Sequence, residues 1–184
     1  PELRDGLHGG LRVIGDGIIY APNAARWLLD HPLIERRQAH VVEIDGNRVR
    51  LESGSRLSAQ AVILAGGTHA STLCPELPIE PKKGHLLITD RYPGRISHTL
   101  VELGYVTSAH NATGPSTAAN IQPRPTGQLF IGASRQFNTT APEIEPWMLA
   151  KMLQRAVDYV PGLAQLNGIR AWTGFRAASP DGLP

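Results

Sequence analysis

The apolar positions of this chain switch repeatedly between helical and strand spacing, and each change marks a different kind of structure. Apolar runs at 11–14 and 18–20 flank the turn signal Gly15-Asp16-Gly17. Pro22 then stands where a helix can begin, because a proline in the first turn gives up only an N–H that has no partner there. Ala24, Ala25, Trp27, Leu28 and Leu29 continue that helix, and His31-Pro32 ends it. Residues 41–44 and 49–51, joined by Asp45-Gly46-Asn47, predict a hairpin, and Ser53-Gly54-Ser55 a second turn. The unbroken apolar run 61–65 predicts a strand covered on both faces. It ends at Gly66-Gly67, after which Thr68 is placed to cap a short helix reaching Cys74.

Beyond Pro75 prolines and glycines multiply, and short strand-like runs appear at 85–89, 105–107, 119–122 and 129–131, with Thr126-Gly127 as a hairpin turn between the last two. One amphipathic helix follows. Leu149, Met152, Leu153, Ala156, Val157 and Val160 recur at helical spacing, between Pro146 near its start and the stop signal Pro161-Gly162. A last strand at 169–172 leads into Thr173-Gly174-Phe175-Arg176. The pattern predicts an α+β fold: a mostly antiparallel sheet with one main helix packed on it, and a division near Pro75 into regions 1–74 and 75–184.

Composition narrows the function classes. Of 184 residues, 41% are hydrophobic and 18% charged, which suits a chain able to bury a core. The net charge of +2 is small, and no basic stripe interleaved with aromatics offers itself to nucleic acid. The longest apolar run is too short to span a membrane, and the opening residues lack a signal-peptide pattern. The single cysteine, Cys74, cannot form an internal disulfide, which points to a reducing, cytoplasmic setting; its Ala/Ser/Thr/Leu context reads as a small buried apolar residue. The seven histidines (among them His98 and His110, near a candidate lid at Gly114-Pro115-Ser116) are dispersed, so no metal site is expected. No phosphate loop or nucleophile elbow occurs. The chain begins at Pro1 without an initiator methionine and stops at Pro184 just after Pro180-Asp181-Gly182, so it is expected to be an internal piece of a longer protein.

The chemistry is suggested by the last fourteen residues. Ala171-Trp172-Thr173-Gly174-Phe175-Arg176-Ala177-Ala178-Ser179-Pro180-Asp181-Gly182-Leu183-Pro184 resembles the W-x-G-x-R-P-x-T-x-D-G-x-P signature of the glycine/D-amino-acid oxidase family of FAD-dependent oxidoreductases. Other stretches match that family in order. Residues 10–22 resemble its GGL-x-x-x-GDG stretch, 61–67 its strand reaching the flavin, 78–87 its P-x-x-P-x-R/K-G-x-L strand entry, and 123–132 its P-R-x-x-G hairpin.

The resemblance implies a β-rich substrate domain, residues 75–184, beside partial elements of a Rossmann-like FAD-binding domain in residues 1–74. It implies that Arg176 holds a substrate carboxylate, since the planar guanidinium makes two parallel charge-assisted bonds that fix orientation. Asn120 stands where family members often place a tyrosine on that carboxylate, and its shorter reach implies a different substrate shape. Gly66, Gly67 and the backbone at Ala39 are the implied flavin contacts. Lys83 could approach the flavin or pair with a carboxylate such as Glu80. Tyr105 and Trp172 read as core aromatics rather than pocket walls. The implied reaction is dehydrogenation of the Cα–N bond of a small carboxylated amine, with the flavin taking the hydride. The implied alternatives are a non-catalytic binding subunit of the same fold and a flavin dehydrogenase of a hydroxy acid. The G-x-G-x-x-G unit that would grip the pyrophosphate is not in this sequence, so the implied partners include further flavin-binding segments of the same protein, and residues 1–184 alone are expected to be inactive and free of FAD.

Overall fold

The computed structural model describes residues 3–105 and 114–181. It falls into two compact units, Leu11–Glu76 and a second made of Pro1–Gly10 with Leu77–Pro184.

In the Leu11–Glu76 unit the expected first helix forms as α1, Ala21–Leu29, with proline in its opening turn; it ends at Asp30, whose N–H reaches the Arg26 carbonyl, and no α1 residue is buried. The expected hairpin is β1 (Val41–Asp45) and β2 (Arg48–Leu51). A strand that the polar text of 56–58 did not announce, β3 (Arg56–Ser58), pairs with β2 and completes a three-stranded sheet.

Three expectations here need correction. Residues 61–65 do not form a strand: no described strand lies beside them, and Ile63 is 90% exposed. A buried strand exists only where neighbours take its backbone hydrogen bonds. Thr68 caps nothing; a 3-10 turn at Gly67–His69 runs directly into α2 (Ala70–Leu73) without a side-chain cap. Cys74 is the C-cap of α2 and only half-buried, not the enclosed residue expected.

The other unit is built on a five-stranded antiparallel sheet. Its strands are β4 (Glu80–Thr89), β5 (Leu100–Val101), β6 (Ser116–Pro123), β7 (Leu129–Arg135) and β8 (Gly168–Ala178), in the order β5-β6-β7-β4-β8. The expected strand 105–107 is not found at Tyr105, which closes a turn onto the Glu102 carbonyl, and its other residues lie outside those described. The amphipathic helix is α3, Pro146–Tyr159.

Strand alternation gives the sheet two unlike faces. On one face Ile121, Leu129 and Ile131 pack with Ile96, Ala156, Val160 and Leu163, and Met148 and Met152 of α3 are fully enclosed. Each such Ile, Leu, Val or Met side chain contributes about 1.5–3 kcal/mol by leaving water. The other face carries Leu86, Asn120, Gln122, Phe130, Gly132, Trp172, Gly174 and Arg176, brought into line by the pairs Leu86↔Trp172, Gly84↔Gly174, Asn120↔Gly132 and Gln122↔Phe130. That face is where a ligand can enter.

Candidate active site

A cavity of about 250 Å³ opens on this second face. Leu86 of β4, Phe130, Gly132 and Ala133 of β7 and Tyr105 form its walls, while Asn120 and Gln122 of β6 and Arg176 of β8 supply its polar groups. The structure thus brings Arg176 and Asn120, which are 56 residues apart in the chain, to one place. A smaller recess of about 70 Å³ on the three-stranded sheet is lined by Glu43, Asp45, Arg48, Arg50 and Arg56, with Arg50 bonding Glu43 at 2.6 Å.

Arg176 is exposed and lies across from Lys82 on the neighbouring strand. Its described hydrogen bond is a long one of 3.4 Å from Nη1 to the Ser134 carbonyl, and a guanidinium carries five N–H groups, so this bond uses only a small part of its donor capacity. Gly84 makes this position possible. A Cβ on that residue would stand 2.6 Å from Arg176 Nη1 and 3.1 Å from the Ser134 carbonyl oxygen. The Lys-Gly step of β4 is therefore a requirement for bringing the arginine of β8 against the sheet.

Asn120 is half-buried, and its Oδ1 accepts a 3.2 Å bond from Gln122 Nε2. Gln122 was not among the residues expected from sequence, although residues i and i+2 of a strand share a face, which is signal enough to find it. Tyr105 is corrected from core aromatic to pocket wall; the Arg135 guanidinium lies 4.5 Å from its ring centre. Trp172 does not line the cavity but braces its wall, meeting Phe130 edge-on at 5.6 Å. His98 is exposed and bonded to Ser97 Oγ at 2.8 Å, away from the cavity. His110 lies outside the described residues, and Ser116 is the first residue of β6.

Beneath the cavity, on the helix face of the sheet, lies a polar nest. Lys83 is 0% exposed and pairs through Nζ with Glu145 Oε1 at 3.1 Å, not with Glu80. Glu145 Oε2 also accepts from Gln136 Nε2 at 2.7 Å and Trp147 Nε1 at 2.9 Å. These donors hold the Glu145 carboxyl below the usual carboxylate range, the Gln136 bond first and the Lys83 bond second. His85 is enclosed, and its Nε2 accepts the Glu145 backbone N–H at 3.1 Å. Nδ1 therefore carries the proton and faces Ser134 Oγ at 2.9 Å. Burial, then the neighbouring Lys83 charge, lowers the His85 pKa, with Glu145 opposing.

Gly66, Gly67 and Ala39 all belong to the Leu11–Glu76 unit. Gly67 has φ +57°, and no heavy atom lies within 4 Å of where its Cβ would stand, so a bulky flat group can approach its backbone. Ala39 is an exposed residue before β1. Among the described residues no group of His, Cys, Asp or Glu could hold a metal, and no helix is long and apolar enough to cross a membrane.

The chain belongs to the DAO family of FAD dependent oxidoreductases, whose model matches residues 1–184. Among individual proteins it is 27% identical over 187 residues to an opine oxidase subunit of Agrobacterium tumefaciens (strain Ach5), covering 100% of this chain and 42% of that one. It is 27% identical over 196 residues to glycine oxidase of Geobacillus kaustophilus (strain HTA426), covering 100% of this chain and 48% of the relative. A crystal structure of glycine oxidase from Geobacillus kaustophilus superposes with a TM-score of 0.64 at 25% identity, over 79% of this chain and 38% of that one. The chain thus spans less than half the length of these relatives.

Proposed function

We propose that the protein dehydrogenates the Cα–N bond of a small amino acid or secondary amine that carries a carboxylate, with FAD as its oxidant. The observation behind this is the convergence of a guanidinium and a carboxamide, Arg176 and Asn120, on one cavity of the sheet's open face. Arg176 binds the carboxylate through paired N–H groups, and Asn120 Nδ2 supplies a further donor. Leu86 and Phe130 keep water from the carbon skeleton. Held at one end, the substrate can present one Cα–H bond in a single direction, and such alignment is worth orders of magnitude in rate. The bound flavin would supply the two-electron chemistry, taking the α-hydrogen as hydride while the C=N bond forms and an N–H proton leaves. Gly66, Gly67 and Ala39 are the residues we assign to the flavin; the open backbone at Gly67 fits such an approach.

In this reading the Leu77–Pro184 stretch is the substrate domain, and Leu11–Glu76 is part of the flavin-binding half. Residues 1–184 alone, which contain no G-x-G-x-x-G, neither retain FAD nor turn over. The lone cysteine fits a cytoplasmic protein.

The test mixes the flavin-loaded full-length protein with small carboxylated amines under exclusion of oxygen and follows bleaching of the flavin's visible absorbance. Arg176→Ala should lower kcat/KM for these compounds by about 100-fold or more, and Arg176→Lys should restore only part, because an ammonium cannot make the paired contact. An unchanged kcat/KM in Arg176→Ala overturns the assignment. Ligand binding without flavin reduction would replace the enzyme by a non-catalytic protein of the same fold.

A further inference from the structure

We propose that Gln122 determines specificity by accepting a hydrogen bond from an N–H or O–H group that the substrate carries beyond its carboxylate. The preferred substrates are then amino acids or secondary amines with a polar, donor-bearing substituent, rather than glycine or its purely alkyl derivatives. This inference rests on the proposed oxidation of a carboxylated amine in the same cavity.

The polarity at Gln122 follows from Arg176 by a chain of two amides. Arg176, Asn120 and Gln122 line one cavity, and the two carboxamides are joined at 3.2 Å. A carboxylate only accepts hydrogen bonds, so once it lies against Arg176 the neighbouring Asn120 has to offer Nδ2. Asn120 Oδ1 is thereby turned toward Gln122 and takes its Nε2 donor, as observed. Gln122 Oε1 remains as an acceptor. Reversing both amides would set Asn120 Oδ1 against the carboxylate, a repulsive arrangement. Of the other lining side chains only Tyr105 carries a hydrogen-bonding atom, while Leu86, Phe130 and Ala133 have none to compete for the same group.

Size agrees with polarity. The cavity measures about 250 Å³, whereas a cavity of about 150 Å³ already admits benzene, a molecule with more heavy atoms than glycine. A carboxylate and an α-amine leave room for a further arm. A substituent that desolvates Gln122 Oε1 without bonding it leaves an acceptor unsatisfied, which is the more discriminating way to reject a ligand.

The experiment compares pairs of equal shape on the flavin-loaded full-length protein: N-(2-hydroxyethyl)glycine against N-propylglycine, and both enantiomers of homoserine against norvaline. Wild type should favour the hydroxyl member of at least one pair by about 10- to 100-fold in kcat/KM. Gln122→Met, similar in length but without the amide acceptor, should bring that ratio close to one. A wild-type ratio near one, or a ratio that survives in Gln122→Met, overturns the role of Gln122 while leaving the oxidation itself standing. If none of these amines reduces the flavin, and Arg176→Ala leaves their binding unchanged, the reading of the whole site falls and this inference with it.

Discussion

The distance that matters most to the site is that between a missing side chain and a guanidinium. A methyl group on Gly84 would overlap Arg176 Nη1 at 2.6 Å and press on the Ser134 carbonyl oxygen at 3.1 Å. The first clash is with the far end of a flexible side chain and the second needs only a small shift of backbone. Gly84→Ala is therefore expected to leave the sheet folded but to displace the guanidinium, raising KM for carboxylated substrates about 10-fold, the scale of one lost charge-assisted bond. Ligand titration and a thermal melt on the same variant check both halves. Unchanged KM would mean that Arg176 meets its ligand from elsewhere. Both motifs were legible in the sequence, Lys83-Gly84 and Trp172 to Arg176. The approach of Arg176 to Gly84 was not, because it depends on the register that sets Lys82 opposite Arg176. Gln122 was legible only through strand alternation, since no motif names it.

At the scale of elements, the start of α3 is held by charge under the sheet. Glu145 precedes the helix, gives its N–H to His85 Nε2 and takes Lys83, Gln136 and Trp147 on its carboxylate. Lys83 is 0% exposed, whereas the Glu145 side chain is 31% exposed and has other donors. Removing the acid strands a buried ammonium; removing the lysine leaves a hydrated, bonded carboxylate. Glu145→Ala should thus lower Tm more than Lys83→Met does, and the reverse order would refute this account of the nest. The His85 and Glu145 shifts are both downward, so in each case the unfolded chain binds protons more readily. Stability is then full above the ordinary histidine value and falls with acidification, first below about pH 6.5 through His85 and then in the carboxylate range. Melts from pH 8 down to pH 5 should show Tm declining with the first step absent in His85→Gln. The helix itself was plain from its 3.6-residue repeat. The outer halves of β4 and β8 were not, because Glu80 to Gly84 and Thr173 to Ala178 lack alternation and owe their strand form to pairing with each other.

For the molecule as a whole, core is distributed unequally between the two units. In Leu11–Glu76 the one buried residue is Ala70, while Ile14, Leu33 and Ile63 are about 90% exposed. The β-sheet unit holds the apolar cluster of Ile121, Leu129 and Ile131 against α3. This is also why the run 61–65 misled: continuous apolarity specifies burial, but the described residues of this unit supply no strand to bury it. Two consequences can be measured on residues 1–184. Amide exchange should be slow in β4, β6, β7, β8 and the middle of α3 and fast throughout α1 and 61–65, since local opening costs least where few apolar contacts must be broken. Apolar patches of that extent facing water also drive association, so the sedimentation coefficient should rise with concentration and the dye-accessible apolar surface should map to Leu11–Glu76. Substituting Ile14, Leu33 and Ile63 together by polar residues should suppress the association without slowing or hastening exchange in the sheet. If exchange in α1 proves as slow as in β7, the unit has a source of stability other than its packing, and the division between a cored and an uncored half does not hold.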